Sequence, residues 1–139
     1  MKKFHLLPIE AHLDILQEYG RALAWINMVE FELNLLIKIK SKLIHANSEI
    51  VDDILDDMMI GKKIRIAEKF INKKIINGLW ELNNRRLLLA HGLSGENFDT
   101  GEISIKHKKN EQPITKQFLE DTTEKAKQIS EELFKELHL

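Results

Sequence analysis

The stretch NNRRLLLAHG, residues 83–92, sets two arginines and a histidine into an aliphatic run. A guanidinium stays charged at every physiological pH and presents a planar fork of donors that fits a phosphate or a carboxylate. An imidazole takes up and releases a proton near neutrality. One holds negative charge and the other moves protons, and phosphodiester transesterification needs both. Spacing decides which of these residues face inward. At ~100° per residue, a helix over 74–91 has an inner stripe of Ile76, Leu79, Asn83, Arg86 and Ala90. Ile75, Leu82 and Leu89 lie on one shoulder, and Trp80, Leu87 and His91 on the other. Asn83 and Arg86 therefore fall in the middle of an apolar face, while Arg85 falls on the opposite, solvent side.

An arginine on an inner face needs a partner, because it cannot escape burial by losing its proton. Asn83, one turn earlier, offers a side-chain carbonyl. Glu30 and Asn34 sit at the edge of an apolar stripe on an earlier helix, and Glu30 is the expected charge partner. The alternative is an opening to water at a subunit seam, where an anion binds. His91 has a plainer reading as well, as a helix-terminal residue interacting with the last carbonyls.

The elements that position these residues are mostly helical. Residues 9–45 read as a helix broken or bent near Gly20, with Pro8 in its first turn. It has two apolar stripes. Ala22, Ile26, Val29, Leu33, Leu36 and Ile37 form one; Met28, Phe31, Leu35 and Ile39 form the other, nearly opposite. The first suits a bundle core and the second a further subunit, so a homodimer is expected. Residues 49–59 form a short acidic helix capped by Asn47 or Ser48, and Gly61 punctuates. Residues 62–72 form a basic helix with Ile64, Ala67, Phe70 and Ile71 inward, and Gly92 caps the helix that follows. Alternation at Ile103, Ile105 and His107, with DTG as a turn signal, predicts a small β-hairpin or extended insertion near 96–108. Thr115 caps the last helix, with Ile114 and Leu119 as a hydrophobic staple. Its stripe is Leu119, Thr122, Ala126, Ile129, Leu133 and Leu137. The fold class is all-α, a helical bundle with that one small insertion, and residues 1–139 make a single domain.

Bulk composition bounds the function. Apolar residues make up 43% and charged residues 31%, as in a soluble globular protein. With 0 cysteines, disulfides and thiolate metal sites are excluded, which suits a cytoplasmic protein. No long apolar region follows the first lysines, and no run approaches the ~20 residues that span a bilayer, so neither a signal peptide nor a membrane partner is expected. His5, His12, His107 and His138 read as surface residues; no metal site and no cofactor is expected. Charge is uneven: residues 1–60 carry −4, residues 61–110 carry +6 and residues 111–139 carry −3. The basic tract Lys62–Lys74 and KHKK at 106–109 form either an anion-guiding surface or an ordinary solvated face.

RRLLLAHG resembles the signature of HEPN domains, all-α domains marked by an arginine, four to six residues, then a histidine. Arg86, Ala90, His91 and Gly92 match that pattern. The earlier helix with VEFELNLLIK and the closing helix after PIT resemble the general layout. The resemblance implies a metal-independent endoribonuclease, a toxin or defence effector of the toxin–antitoxin kind. It acts as a homodimer whose paired motifs face a shared cleft and leaves 2′,3′-cyclic phosphate ends. Arg86 is then the phosphate ligand and His91 the acid/base group, with Asn83, Glu30, Asn34 and Arg85 binding or supporting. RNA and a cognate antitoxin or regulatory protein are the implied partners. Leu87 stands where active members commonly carry a polar residue. The alternative is a catalytically inactive HEPN-like module that binds RNA, a nucleotide or a protein. Leu93 stands where toxins paired with a nucleotidyltransferase often carry tyrosine, which points away from that subgroup.

Overall fold

The computed structural model describes residues 4–6, 13–41, 48–97, 102–107 and 110–138. These contain five helices: α1 Leu13–Lys40, α2 Ser48–Asp57, α3 Ile60–Ala67, α4 Lys73–His91 and α5 Lys116–Leu137. Four short strands join them: β1 Phe4–Leu6, β2 Leu93–Asn97, β3 Ile103–His107 and β4 Asn110–Pro113. The fold is a helical bundle carrying a small antiparallel sheet. Among the described residues no helix is long and apolar enough to cross a membrane.

The direction of each long helix follows from its contacts. Lys116 reaches Glu18 at 3.9 Å, Lys127 sits 5.5 Å from the centroid of the Trp25 ring, and the Ser130 hydroxyl donates to the Glu32 carboxylate. Early α1 thus meets early α5 and later meets later, so the two run parallel. On the other side Arg85 meets Thr122 at 2.8 Å and Glu81 meets Lys125 at 3.1 Å, so α4 runs antiparallel to α5. The core lies among these three helices. The first stripe of α1 is buried along its whole length, from Ala22 to Ile37, and meets the α5 stripe from Leu119 to Leu133.

Helix starts follow local chemistry. Asn72 caps α4 by accepting the Lys74 amide at 2.7 Å. Thr115 caps α5 by accepting the Phe118 amide at 3.0 Å, and both members of the predicted staple, Ile114 and Leu119, are buried. α1 is continuous through Gly20, where an added Cβ would meet nothing within 4 Å. Gly61 lies inside α3 rather than between helices. That helix starts at Ile60 because Met59 is extended (φ −68°, ψ 146°), and it ends at Ala67, short of the expected residue 72. Pro8, the Asn47 cap, the DTG turn and the predicted helix over 9–12 and 42–45 lie outside the described residues.

The predicted hairpin is present as β2–β3, paired from Leu93↔Lys106 to Glu96↔Ile103. It belongs to a larger sheet than expected, of order β1-β2-β3-β4. β1 adds at one edge with Phe4↔Asn97, and β4 at the other with Ser104↔Pro113. Three-residue FHL and the polar NEQP have too little alternation to read as strands on their own. They become strands because β2 and β3 offer open edges. Ile105 and Ile114 are buried and lock the sheet to the helices.

Gly92 ends α4 by donating its amide to the Leu88 carbonyl at 2.9 Å. The expected left-handed cap is not what forms: φ is −74° and ψ 153°, the extended geometry that opens β2. Glycine is required there for space, since a Cβ would collide with Ile105 Cγ2 and the Leu88 carbonyl oxygen. Gly92→Ala should therefore destabilise the protein by about 1–3 kcal/mol, measured by urea denaturation. A neutral result would show that the sheet is not packed this closely on α4.

Glu32 is buried between α1 and α5, and desolvation raises its carboxyl pKa above its ordinary value of 4.5, against the opposing Ser130 hydrogen bond. A raised folded-state pKa means that the stabilising contribution belongs to the protonated form. It is fully present below pH ~4.5 and is lost as pH rises through the folded value. Glu32→Gln keeps an acceptor for Ser130 without the charge. Its melting temperature should match the parent's near pH 4 and exceed it near pH 8; a lower melting temperature at pH 8 would contradict this.

Candidate functional site

An open groove of about 950 Å³ lies between α2–α3 and α4, with Glu30 of α1 contributing to its wall. Trp80, Asn83, Arg86 and Leu87 line it from α4, Gly61, Lys62 and Arg65 from α3, and Met58 and Met59 from the joint between α2 and α3. Three of the sequence-derived site residues, Glu30, Asn83 and Arg86, thus share one cavity wall. Trp80 and Leu87 share it because they occupy the same shoulder of α4.

Arg86 is half-buried at the mouth of this groove, and no hydrogen bond or ion pair to it forms among the described residues. The expected Arg86–Glu30 pair does not form. Glu30 is instead held by Lys63, whose Nζ lies 2.8 Å from Oε1. The Lys63 side chain is 2% exposed and that of Glu30 25%. A buried ammonium without a counter-charge costs several kcal/mol, so the deeper cation claims the carboxylate. Lys63 was legible in principle. It stands three residues after Ile60 and four before Ala67, on the apolar stripe of α3.

Asn83 is 7% exposed, and its Oδ1 is buried without any hydrogen-bond partner. Its position on the inner stripe is as expected. Asn34, one turn beyond Glu30, is half-buried with its own Oδ1 unpartnered and does not line the groove. His91 is the last residue of α4; its side chain lies outside the described residues.

Arg85 corrects the helix-wheel reading. It does not point to solvent. It donates to Thr122 Oγ1 at 2.8 Å, pairs with Asp121 at 3.0 Å and Glu81 at 3.7 Å, and lies 4.8 Å from the centroid of the Phe118 ring. A wheel assumes one neighbour, whereas α4 has α5 on one side and α3 on the other. Ala90, assigned inward, is exposed, while its neighbour Leu89 is buried.

Tyr19 was not singled out in the sequence. Its hydroxyl donates to the Leu89 carbonyl and so satisfies one of the orphan acceptors in the last turn of α4. Burial raises its pKa. Nothing in the local pattern around Tyr19 signals this contact, which joins residues 70 apart. Of the basic tract, Lys62, Arg65, Lys69, Lys73 and Lys74 are exposed, and the first two reach the groove. Among the described residues no cluster of His, Asp or Glu has the makings of a metal site.

The arrangement offers an uncommitted guanidinium, two further cations, an unfixed amide and an aromatic ring on one wet surface. The same groove carries the carboxylates of Glu30, Asp56 and Asp57, so it presents both signs of charge. Compared with family models, curated proteins and solved structures, this chain matches none.

The two adjacent arginines should behave differently. Arg85→Ala should lower unfolding stability by about 1–3 kcal/mol through loss of its charged hydrogen bond and ring contact. Arg86→Ala should change it by less than about 0.5 kcal/mol. Guanidinium chloride titrations check both; the reverse order would make Arg86 a structural residue.

Proposed function

We propose that the chain is a HEPN-type endoribonuclease acting as a homodimer on RNA, as a toxin or defence effector of the cytoplasm. The observation that carries this reading is Arg86, a half-buried cation that lines the groove and forms no ion pair among the described residues. A guanidinium left unpaired at a cavity wall is available to an anionic ligand. The RRLLLAHG resemblance supplies the chemistry. The 2′-oxygen attacks phosphorus as a base takes its proton, and the P–O5′ bond breaks as an acid protonates the leaving oxygen. The products are a 2′,3′-cyclic phosphate and a 5′-hydroxyl. Arg86 would hold the charge that builds on the phosphoryl oxygens. His91 would move the protons, one copy from each subunit serving as base and acid.

A second subunit is supported by the outer stripe of α1. Met28, Phe31 and Ile39 are 47%, 60% and 41% exposed, and no other part of the described chain covers them. Large side chains at that spacing form an apolar strip that suits a second copy.

Leu87 favours a second reading. It lines the groove beside Arg86, where a polar side chain would help to orient substrate. On that reading the domain binds RNA, a nucleotide or a protein partner such as an antitoxin without turnover.

Incubation with labelled single-stranded RNA in EDTA separates the two. Cleavage with cyclic phosphate ends, reduced at least about 100-fold in both Arg86→Ala and His91→Ala, is expected for the enzyme. Binding without cleavage, weakened by salt and by Arg86→Ala, would establish the module instead.

A further inference from the structure

We propose that a second copy of this chain docks on the α2–α3 face, its α3 against this α2 and its α2 against this α3, so that each groove is walled in part by the other copy. This deepens the homodimer of the reading above by naming its seam. It rests on that reading only for what the shared groove then does.

Charge carries the first part of the argument. Residues 48–59 hold five carboxylates and no basic side chain, whereas residues 61–74 hold six basic side chains and one carboxylate. The two halves adjoin in the chain, yet Asp53, Asp56 and Asp57 form no ion pair among the described residues, and neither do Lys62, Arg65 and Lys69. All six are exposed. Asp56 and Asp57 also close α2, whose last turn has no basic residue, at the negative end of the helix dipole. Opposite charge brought from outside relieves both halves.

Apolar area carries the second part. On α2 Val51 and Leu55 are buried, while Ile50 and Ile54, each 57% exposed, lie on another side of the helix beside Asp53 and Asp57. Met59, 75% exposed, stands at the joint between the acidic and the basic helix. On α3 Lys62 and Arg65, three residues apart, share the side away from buried Ile60, Ile64 and Ala67. Along the chain the exposed face therefore runs acidic with apolar, then apolar, then basic.

A surface in that order is complementary to a copy of itself turned around. A two-fold through the Met59 joint sets each acidic half on the other copy's basic half, and the contact closes at two copies. A second copy answers both charges at once, which a uniformly basic or acidic partner does not. Ile54, Asp57, Met59, Lys62 and Arg65 line the groove, so a copy seated on them borders the cavity that Arg86 also lines. The outer stripe of α1 is a separate surface, since Met28 and Ile39 stand roughly 160–180° round that helix from Glu30. Association through that stripe is untouched by the charge variants, so the readout is mass relative to the parent.

Two double variants of the full chain test the seam by sedimentation. Asp53→Lys/Asp57→Lys makes the α2 side basic, and Arg65→Glu/Lys69→Glu makes the α3 side acidic. Alone, each sets like charge on like in both halves of the seam and should run at half the parent's mass. Mixed in equal amounts they should regain the parent's mass as a one-to-one hetero-assembly, because every half then faces its opposite. Ile54→Ser leaves each charge in place and should weaken association at least about tenfold. Raising salt from about 50 mM to about 500 mM should weaken it as much.

A monomeric parent, a charge variant that keeps the parent's mass, or a mixture that fails to regain it would overturn the seam. So would association unchanged by Ile54→Ser or by salt, arms that hold even if circular dichroism shows a double variant unfolded. RNA cleavage separates this from the ribonuclease reading. Variants that behave as expected in a chain that cuts no RNA defeat the enzyme alone. A parent that cuts RNA while both charge variants keep its mass defeats the seam alone.

Discussion

The ion pair between Lys63 and Glu30 is the constraint from which the site follows. Lys63 sits on the buried face of α3, and its ammonium must meet a negative charge. Glu30 of α1 supplies it, and that contact helps to tie α3 to the bundle. Engaged there, Glu30 forms no ion pair with Arg86. The guanidinium is left at the groove wall with its donors free of ionic partners among the described residues. Structural necessity at one cation thus produces an available cation at the next.

The same reasoning separates the two adjacent arginines. Arg85 and Arg86 differ by ~100° around α4, enough to place them on different neighbours. Arg85 meets α5 and is consumed by Thr122, Asp121 and the Phe118 ring. Arg86 meets the open space between α3 and α4. Tyr19 and Gly92 then define how that helix ends. The tyrosine satisfies a terminal carbonyl, and the glycine lets β3 approach closely enough to seat Ile105. The C-terminal end of α4, where His91 stands, is therefore fixed from two sides.

The groove itself combines charges of both signs. Its basic side comes from α3 and α4 and its acidic side from the end of α2 and from Glu30. A uniformly basic channel would attract any polyanion. A mixed wall is less attractive to a polyanion than a uniform one, and its positive charge is concentrated on the α3 and α4 side.

Much of the framework was determined by local sequence. The α1 and α5 stripes, the Asn83 and Arg86 positions, the Thr115 cap with its staple and the β2–β3 hairpin all follow from periodicity and turn chemistry, which act over a few residues. Tertiary structure alone decided the rest. It gave Glu30 to Lys63 instead of Arg86, turned Arg85 toward α5, exposed Ala90, recruited FHL and NEQP into a sheet and made Gly92 a steric requirement. The reason is common to all of these. A helix wheel specifies an angle about one axis, but a partner depends on which other elements stand at that angle, and those come from residues tens of positions away.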